Sequence, residues 1–128
     1  MIRRRSANPT EAELAILNVL WEQGPATVRQ VHENLPNAAN TGYTTVLKLL
    51  QIMFDKGLVQ RDESERAHVY RACQSQDETQ GAILRDVATR AFSGSRSALV
   101  MRALGETSSR EELAEIRRFL DELEGVKS

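Results

Sequence analysis

Apolar residues between positions 40 and 57 recur at intervals of three and four, which predicts a helix with one packed face. The packed positions are Val46, Leu47, Leu50, Met53 and Phe54. Polar residues fall mainly on the other faces, namely Tyr43, Thr44, Thr45, Lys48 and Gln51. Asn40 or Thr41 can cap the first turn, and Gly57 stands where a left-handed residue would end the helix. The predicted helix therefore begins with short polar side chains and carries no acid before Asp55.

A helix with such a start is suited to the major groove of DNA, where hydroxyl groups and a lysine can meet bases or phosphates. The alternative is an ordinary amphipathic core helix whose threonines only face water. The choice between the two depends on the neighbouring elements.

Two shorter helices are predicted ahead of this one, each opened by a capping box. Thr10 and Glu13 have the box spacing at the first, whose packed stripe is Leu14, Leu17, Leu20 and Trp21, and Gly24-Pro25 ends it. Thr27 and Gln30 open the second, which carries Val28, Val31 and Leu35 and ends at Pro36. His32 does not have enough other potential metal ligands near it in the sequence to form a metal site, so it is predicted to lie at the surface. Three helices joined by short turns have the order of a helix-turn-helix unit.

Two short strands are predicted next, at residues 58–61 and 67–71, with a charged turn at 62–66. Three helices followed by a two-stranded hairpin make a winged helix. Its wing would offer Arg61, Arg66, His68 and Arg71 to the DNA backbone. Three acids in the turn argue against deep phosphate contact there, so we expect the flanks of the wing to bind and its tip to remain in water.

The rear of the chain is predicted to form three helices. Ser75 and Glu78 open the first and Gly94 ends it, residues 97–104 form a second that is apolar on nearly every face, and the third begins near Ser108 or Ser109. These helices carry more apolar surface than one copy can bury, which predicts a homodimer. The predicted dimerisation residues are Leu84, Val87, Phe92, Leu99, Val100, Met101, Leu104, Ile116 and Leu120. A helical hairpin packed on its own wing is the alternative.

The fold class predicted is therefore mainly α with a small β-hairpin. Residues 1–73 would form the winged-helix DNA-binding domain with an N-terminal basic arm, and residues 74–128 the helical dimerisation region. The arm is Arg3, Arg4 and Arg5, which can lie along phosphates or simply form a solvated tail.

Charge gives little global attraction to nucleic acid, because the net charge is −1. Through Ala72 there are nine basic and eight acidic residues, and from Cys73 onward eight and ten. The small excess of positive charge at the front suits a binding half there. Neither a membrane-spanning run nor the apolar core of a signal peptide is present, so we expect a cytoplasmic protein without membrane insertion.

Catalytic and metal-binding patterns are missing from the sequence. The seven glycines form no phosphate loop, there is no metalloprotease histidine pair, and the single cysteine, Cys73, excludes an internal disulfide or a multi-cysteine metal cluster. We predict that the protein is not an enzyme and uses no metal or cofactor.

Several fragments together resemble one known family, the penicillinase repressors (BlaI/MecI/CopY type). They are residues 9–14, Leu20-Trp21, 28–31, 43–46, 56–59, Tyr70, 94–100 and the Glu-Glu-Leu of the last helix. Each is unspecific alone, but their order and spacing cover nearly the whole chain.

The resemblance implies a winged helix that binds palindromic operators and a C-terminal region that dimerises. It also implies DNA-reading positions at Thr44, Thr45, Lys48 and the neighbouring Gln51, with Tyr43 and the wing touching the backbone. In that family a membrane sensor metallopeptidase often triggers cleavage within the dimerisation region, which here maps to Arg102-Ala103.

Three departures from the family pattern limit what can be carried over. Ile52 stands where many members have a basic residue, which weakens the grip on the DNA backbone or alters the helix tilt. Arg102-Ala103 differs from the Asn-Phe pair of the best-known members, so neither cleavage nor a β-lactam signal follows automatically. The paired-cysteine tail of the copper-responsive branch is absent.

Three hypotheses follow. The first is a homodimeric repressor of operator DNA. The second is a protein-interaction adaptor in which the winged helix binds a protein partner, favoured by the near-neutral front half and by Ile52. The third retains DNA binding, but a small ligand held between the rear helices replaces proteolysis. No polar cluster on those helices indicates such a ligand pocket.

Overall fold

The computed structural model describes residues 8–107 and 109–125, and in that part of the chain the fold is helical with one small sheet. The helices are α1 Glu11–Gln23, α2 Val28–Asn34, α3 Tyr43–Lys56, α4 Gln76–Ala91, α5 Arg96–Thr107 and α6 Arg110–Leu123. The strands are β1 Ala26–Thr27, β2 Val59–Asp62 and β3 Val69–Ala72. The predicted fold class, mainly α with a small β element, is confirmed.

Four helices begin at the capping boxes predicted from sequence. At α1 the Glu13 amide donates to Thr10 Oγ1 at 3.2 Å while the Thr10 amide donates to Glu13 Oε1 at 2.9 Å. Reciprocal pairs of the same kind open the others, at Thr27 with Gln30, Ser75 with Glu78, and Ser109 with Glu112. Each box satisfies amide groups that the helix itself leaves without partners.

The start of α3 differs from the prediction. Its N-cap is Gly42, with no side-chain hydrogen bond, so the expected cap at Asn40 or Thr41 is wrong. The residues just before the start of α3, Ala38–Asn40, form a 3₁₀ turn, so Asn40 does not occupy the cap position. The predicted end is confirmed: Gly57 has φ 83°, a left-handed conformation, and its amide donates to the carbonyls of Met53 and Phe54.

The sheet has three strands in the order β1-β3-β2, all antiparallel, where a two-stranded hairpin was predicted. Tyr70 in the central strand pairs with Ala26 on one side and Arg61 on the other. β1 was not predicted because a strand of two residues is too short to show an alternation of apolar and polar positions. Since Thr27 ends β1 and caps α2, the sheet and the helical unit share a residue.

The front of the chain has one apolar core built from its helices and the sheet. The members with at most 2% exposure are Ile16, Leu17, Val31, Val46, Leu50, Met53, Val59 and Tyr70. Two residues of the stripe predicted on α1, Leu14 and Trp21, are only partly buried, whereas Ile16 and Val19 are buried. The reason is that α1 contacts α2, α3 and β3, so its buried surface is wider than one stripe.

The chain divides into two compact units, one up to Ile83 and the other from Leu84, so the division falls within α4. The predicted boundary at 73/74 lies earlier, just ahead of α4, and remains a prediction. In the rear unit Ala88 is buried, while several apolar side chains are exposed, namely Leu84, Val87, Val100, Met101, Leu113, Phe119, Leu120 and Leu123. These exposures agree with the expectation that the rear helices carry more apolar surface than one copy can bury, and the homodimer remains a prediction.

None of the helices in the described ranges combines the length and hydropathy that a membrane span requires.

Candidate nucleic-acid interface

The two faces of α3 have opposite characters. Val46, Leu50 and Met53, spaced four and three residues apart, have 0% exposure and face the core. The predicted DNA-reading residues Thr44, Thr45, Lys48 and Gln51 are all exposed. Tyr43, the first residue of the helix, is 49% exposed. The structure thus brings these five side chains together on the outer surface of α3.

A cleft of about 410 Å³ lies between the start of α3, the start of α2 and the wing. Arg66 and His68 line it from the wing, and Tyr43 lines it from α3. Arg29 of α2 also lines it, a residue that the sequence analysis did not select. Arg29 comes two residues after Thr27, and Thr27 pairs with Val69 in the sheet, so only the unpredicted β1 pairing could have revealed its proximity to the wing.

Arg61 is not brought to this cleft. Its Nε donates to Glu63 Oε2 at 2.6 Å, and its guanidinium carbon lies 4.0 Å from the centre of the Phe54 ring. Hydrogen bonds to Tyr70 and to Glu63 raise the pKa of the Arg61 guanidinium. Phe54 is eleven residues after Tyr43 on the same helix, a separation of about 16 Å at 1.5 Å per residue. In this arrangement Arg61 holds the base of the wing against the end of α3.

The tip of the wing is acidic and exposed. The Ser64 amide donates to Asp62 Oδ1 at 2.9 Å, and hydrogen bonding from Ser64 lowers the pKa of the Asp62 carboxyl. Asp62 is therefore ionised at neutral pH, beside the exposed carboxylates of Glu63 and Glu65. Negative charge at this point opposes close approach of a phosphate backbone.

Glu13 and Lys56 form an ion pair that fixes the end of α3 to the start of α1. Lys56 Nζ lies 2.9 Å from each carboxylate oxygen of Glu13, which is 2% exposed as a residue. Glu13 is also the carboxylate of the Thr10 capping box. Sequence reasoning assigned Glu13 only to the cap, because a partner forty-three residues away leaves no local pattern.

The histidine at the end of α2 contacts the start of α3. His32 Nε2 donates to the carbonyl oxygen of Thr41. Its ring meets the ring of Tyr43 edge to face, with centroids 6.4 Å apart and planes at 83°. The prediction of a surface position was only partly correct, since His32 is half-buried.

The remaining predicted positions belong to the rear unit or fall outside the described residues. Arg102 and Ala103 are exposed on α5, where Arg102 approaches Glu106 at 4.0 Å. Phe92, Leu99, Leu104 and Ile116 are half-buried. Arg3, Arg4 and Arg5 lie outside the described residues. Within the described ranges no group of His, Cys, Asp or Glu side chains is arranged to hold a metal ion.

Three helices, the third with a polar outer face, followed by a β-hairpin wing make a winged helix, and the front of the chain has this fold. The model of the penicillinase repressor family matches residues 9–122. The chain belongs to this family, as its sequence fragments predicted.

Relatives agree with this assignment. The chain is 37% identical over 116 residues to the transcriptional regulator BlaI of Mycobacterium tuberculosis, in strains CDC 1551 and H37Rv, covering 89% of this chain and 83% of that protein. A solved transcriptional regulator from Thermotoga maritima, Tm0710, matches with a TM-score of 0.51 at 18% identity over 91% of this chain and 74% of that one, which supports the fold alone. Because the chain belongs to a family of repressors and its BlaI relatives are transcriptional regulators, the prediction that the protein is not an enzyme is confirmed.

Proposed function

We propose that the protein is a homodimeric transcriptional repressor that binds palindromic operator DNA. The observation that carries this proposal is the continuous surface formed by the outer face of α3 and the basic cleft beside it. Val46, Leu50 and Met53 are fully buried on the opposite face, so they stay in the core while the outer face of the helix enters a groove. The double-stranded operator and a second copy of the chain are the proposed partners, and the cytoplasm, where the genome lies, is the proposed compartment.

In this proposal Thr44, Thr45, Lys48 and Gln51 meet base edges or nearby phosphates in the major groove. Threonine hydroxyls donate and accept, glutamine pairs with adenine, and lysine pairs with guanine or phosphate. Tyr43, Arg66 and His68 would touch the backbone at the edge of the groove. Arg29 joins them because it lines the same cleft. Arg61 is proposed to support the wing rather than to contact DNA.

Two copies would be held together through the rear helices. Met101 is 70% exposed, Leu123 67% and Phe119 57%, and burying such side chains against a second copy stabilises the assembly by roughly 25 cal/mol per Å². A two-fold axis would relate the two copies of α3, and a palindromic site has the same symmetry. The predicted dimerisation residues are retained in this proposal, from Leu84 on α4 to Leu120 on α6.

Derepression by a membrane sensor metallopeptidase is the proposed release step, with the cut at Arg102-Ala103. Both residues are exposed, so a peptidase can reach them. They lie inside α5, however, and a peptidase binds its substrate as an extended strand. Cleavage there therefore requires local opening of α5, which is expected to set its rate.

The test is selection of bound sequences from random duplex DNA, followed by titration of the selected duplex at two salt concentrations. A palindrome bound by two subunits supports the repressor. Lys48→Ala should weaken binding, and Arg90→Ala, which removes an equal charge from an exposed site on α4, serves as the matched control. If folded dimeric protein enriches no sequence, the repressor proposal fails and the adaptor becomes the better hypothesis.

A further inference from the structure

The first turn of α3 lacks the device that fixes the starts of four other helices. Its N-cap is a glycine without a side-chain hydrogen bond, and no acidic residue follows in the first turn. The residues before it form a 3₁₀ turn with no side-chain cap either. Tyr43, Thr44 and Thr45 belong to this turn, so a contact that holds the turn in one orientation would also fix the direction of their side chains.

His32 provides such a contact from the last turn of α2. The acceptor is the carbonyl oxygen of Thr41, directly before the N-cap, so Nε2 must carry a hydrogen. The edge of one ring against the face of the other then links His32 to Tyr43, the first residue of the helix. One side chain therefore contacts the chain on both sides of Gly42.

The packing of α2 on α3 does not depend on His32. Val31 and Val46 have 0% exposure and join the two helices through the core, whereas His32 is half-buried outside it. Loss of His32 should therefore leave the two helices packed and free only the first turn of α3. A substitution of His32 can therefore change the orientation of that turn without changing the stability of the fold.

We propose that His32 is a positioning residue for sequence discrimination: through Thr41 and Tyr43 it fixes the orientation in which the first turn of α3 meets the bases. This inference rests on the proposed DNA binding. Hydroxyl groups discriminate between sequences only when they are oriented toward the matching base edges, whereas phosphate contacts carry no sequence information. His32 thus affects preference for the operator more than affinity for DNA in general.

Three substitutions separate its two contacts. His32→Gln keeps an N–H at the position of Nε2 and loses the ring. His32→Phe keeps a ring beside Tyr43 and loses the donor. His32→Leu removes both while leaving an apolar side chain of similar size. Asn34→Ala is the matched control, because Asn34 donates to the Gln30 carbonyl at 2.8 Å within the same helix turn and is not bonded to α3.

The experiment measures affinity for the selected operator and for a scrambled duplex, together with thermal unfolding and the amide NMR shifts of residues 41–45 in the free protein. We expect His32→Leu to lower the ratio of operator affinity to scrambled-duplex affinity on the order of tenfold per half-site. A change of this size corresponds to the loss of one hydrogen bond and one aromatic contact. His32→Gln should recover most of this affinity ratio. The amide shifts of residues 41–45 should change in His32→Leu and keep their wild-type values in Asn34→Ala.

An unchanged ratio in folded His32→Leu protein overturns the proposal, as does a His32→Gln protein as defective as His32→Leu. An equal loss of affinity for both duplexes also overturns it, because the role would then be general binding. If wild-type protein itself shows no preference for any duplex, the proposed function fails, and that result is visible before any variant is compared.

Discussion

Leu120 offers a quantitative test of the proposed dimer. It is 50% exposed on α6, with Leu113 at 38% and Leu123 at 67% on the same face. Complete burial of a leucine side chain is worth about 1.5–3 kcal/mol, so covering the exposed half contributes about 1 kcal/mol per copy. Each residue occurs twice in a two-fold interface. Leu120→Ala should therefore weaken dimerisation by about 2 kcal/mol, which raises the dissociation constant roughly 30-fold. Leu120→Asp, which places a charge in the same interface, should leave monomer at micromolar concentration.

Sedimentation equilibrium over a wide range of protein concentrations measures the dissociation constant directly. Arg118→Ala is the matched control, because Arg118 is exposed on the opposite side of α6 and its loss should leave the constant unchanged. Circular dichroism verifies that the variants remain helical. If Leu120→Asp sediments as a dimer with the wild-type constant, this face of α6 does not form the interface.

Three further predictions concern the front of the chain. Lys48→Ala should reduce the slope of log affinity against log salt by about 0.9 per subunit if Lys48 neutralises a phosphate, and an unchanged slope with weaker binding would assign it to a base instead. Ile52→Lys should steepen the same slope by a similar amount, since Ile52 is 39% exposed on α3; no change would mean that this position does not approach DNA. Glu13→Ala should lower the free energy of unfolding by about 2 kcal/mol, because it removes half of a capping box and the partner of Lys56. Lys56 is 34% exposed and can be hydrated, which keeps the loss below that of a fully buried pair, and chemical denaturation in which Glu13→Ala matches wild type would refute this account.

Sequence reasoning succeeded where the signal is local. A capping box occupies four consecutive residues, so those at Thr10, Thr27 and Ser75 could be identified without knowledge of the fold. For the last helix the sequence left Ser108 and Ser109 as alternatives, and Ser109 is the cap. The left-handed end at Gly57 is equally local. The inward face of α3 followed from helical periodicity alone, because Val46, Leu50 and Met53 are separated by one turn of the helix.

The features that were missed depend on contacts between distant parts of the chain. The strand Ala26–Thr27 exists only because it pairs with β3. Arg61 was selected as a phosphate ligand, yet Phe54 and Glu63 already engage its guanidinium group. Arg29 reaches the candidate surface only through the sheet pairing. The glycine cap of α3 could not be predicted because a residue without a side chain leaves no capping signature.

The opposite characters of the two faces of α3 have a consequence for evolution. Val46, Leu50 and Met53 hold the helix in the core, while Thr44, Thr45, Lys48 and Gln51 make no part of that core. Substitutions at the outer positions are therefore expected to cost little folding energy, since surface changes are usually within about 0.5 kcal/mol. Under the proposed DNA binding, descendants of this gene can drift to new target sequences by single steps, each through a folded intermediate. The same separation makes the outer positions of α3 suitable for a combinatorial library on an otherwise fixed scaffold.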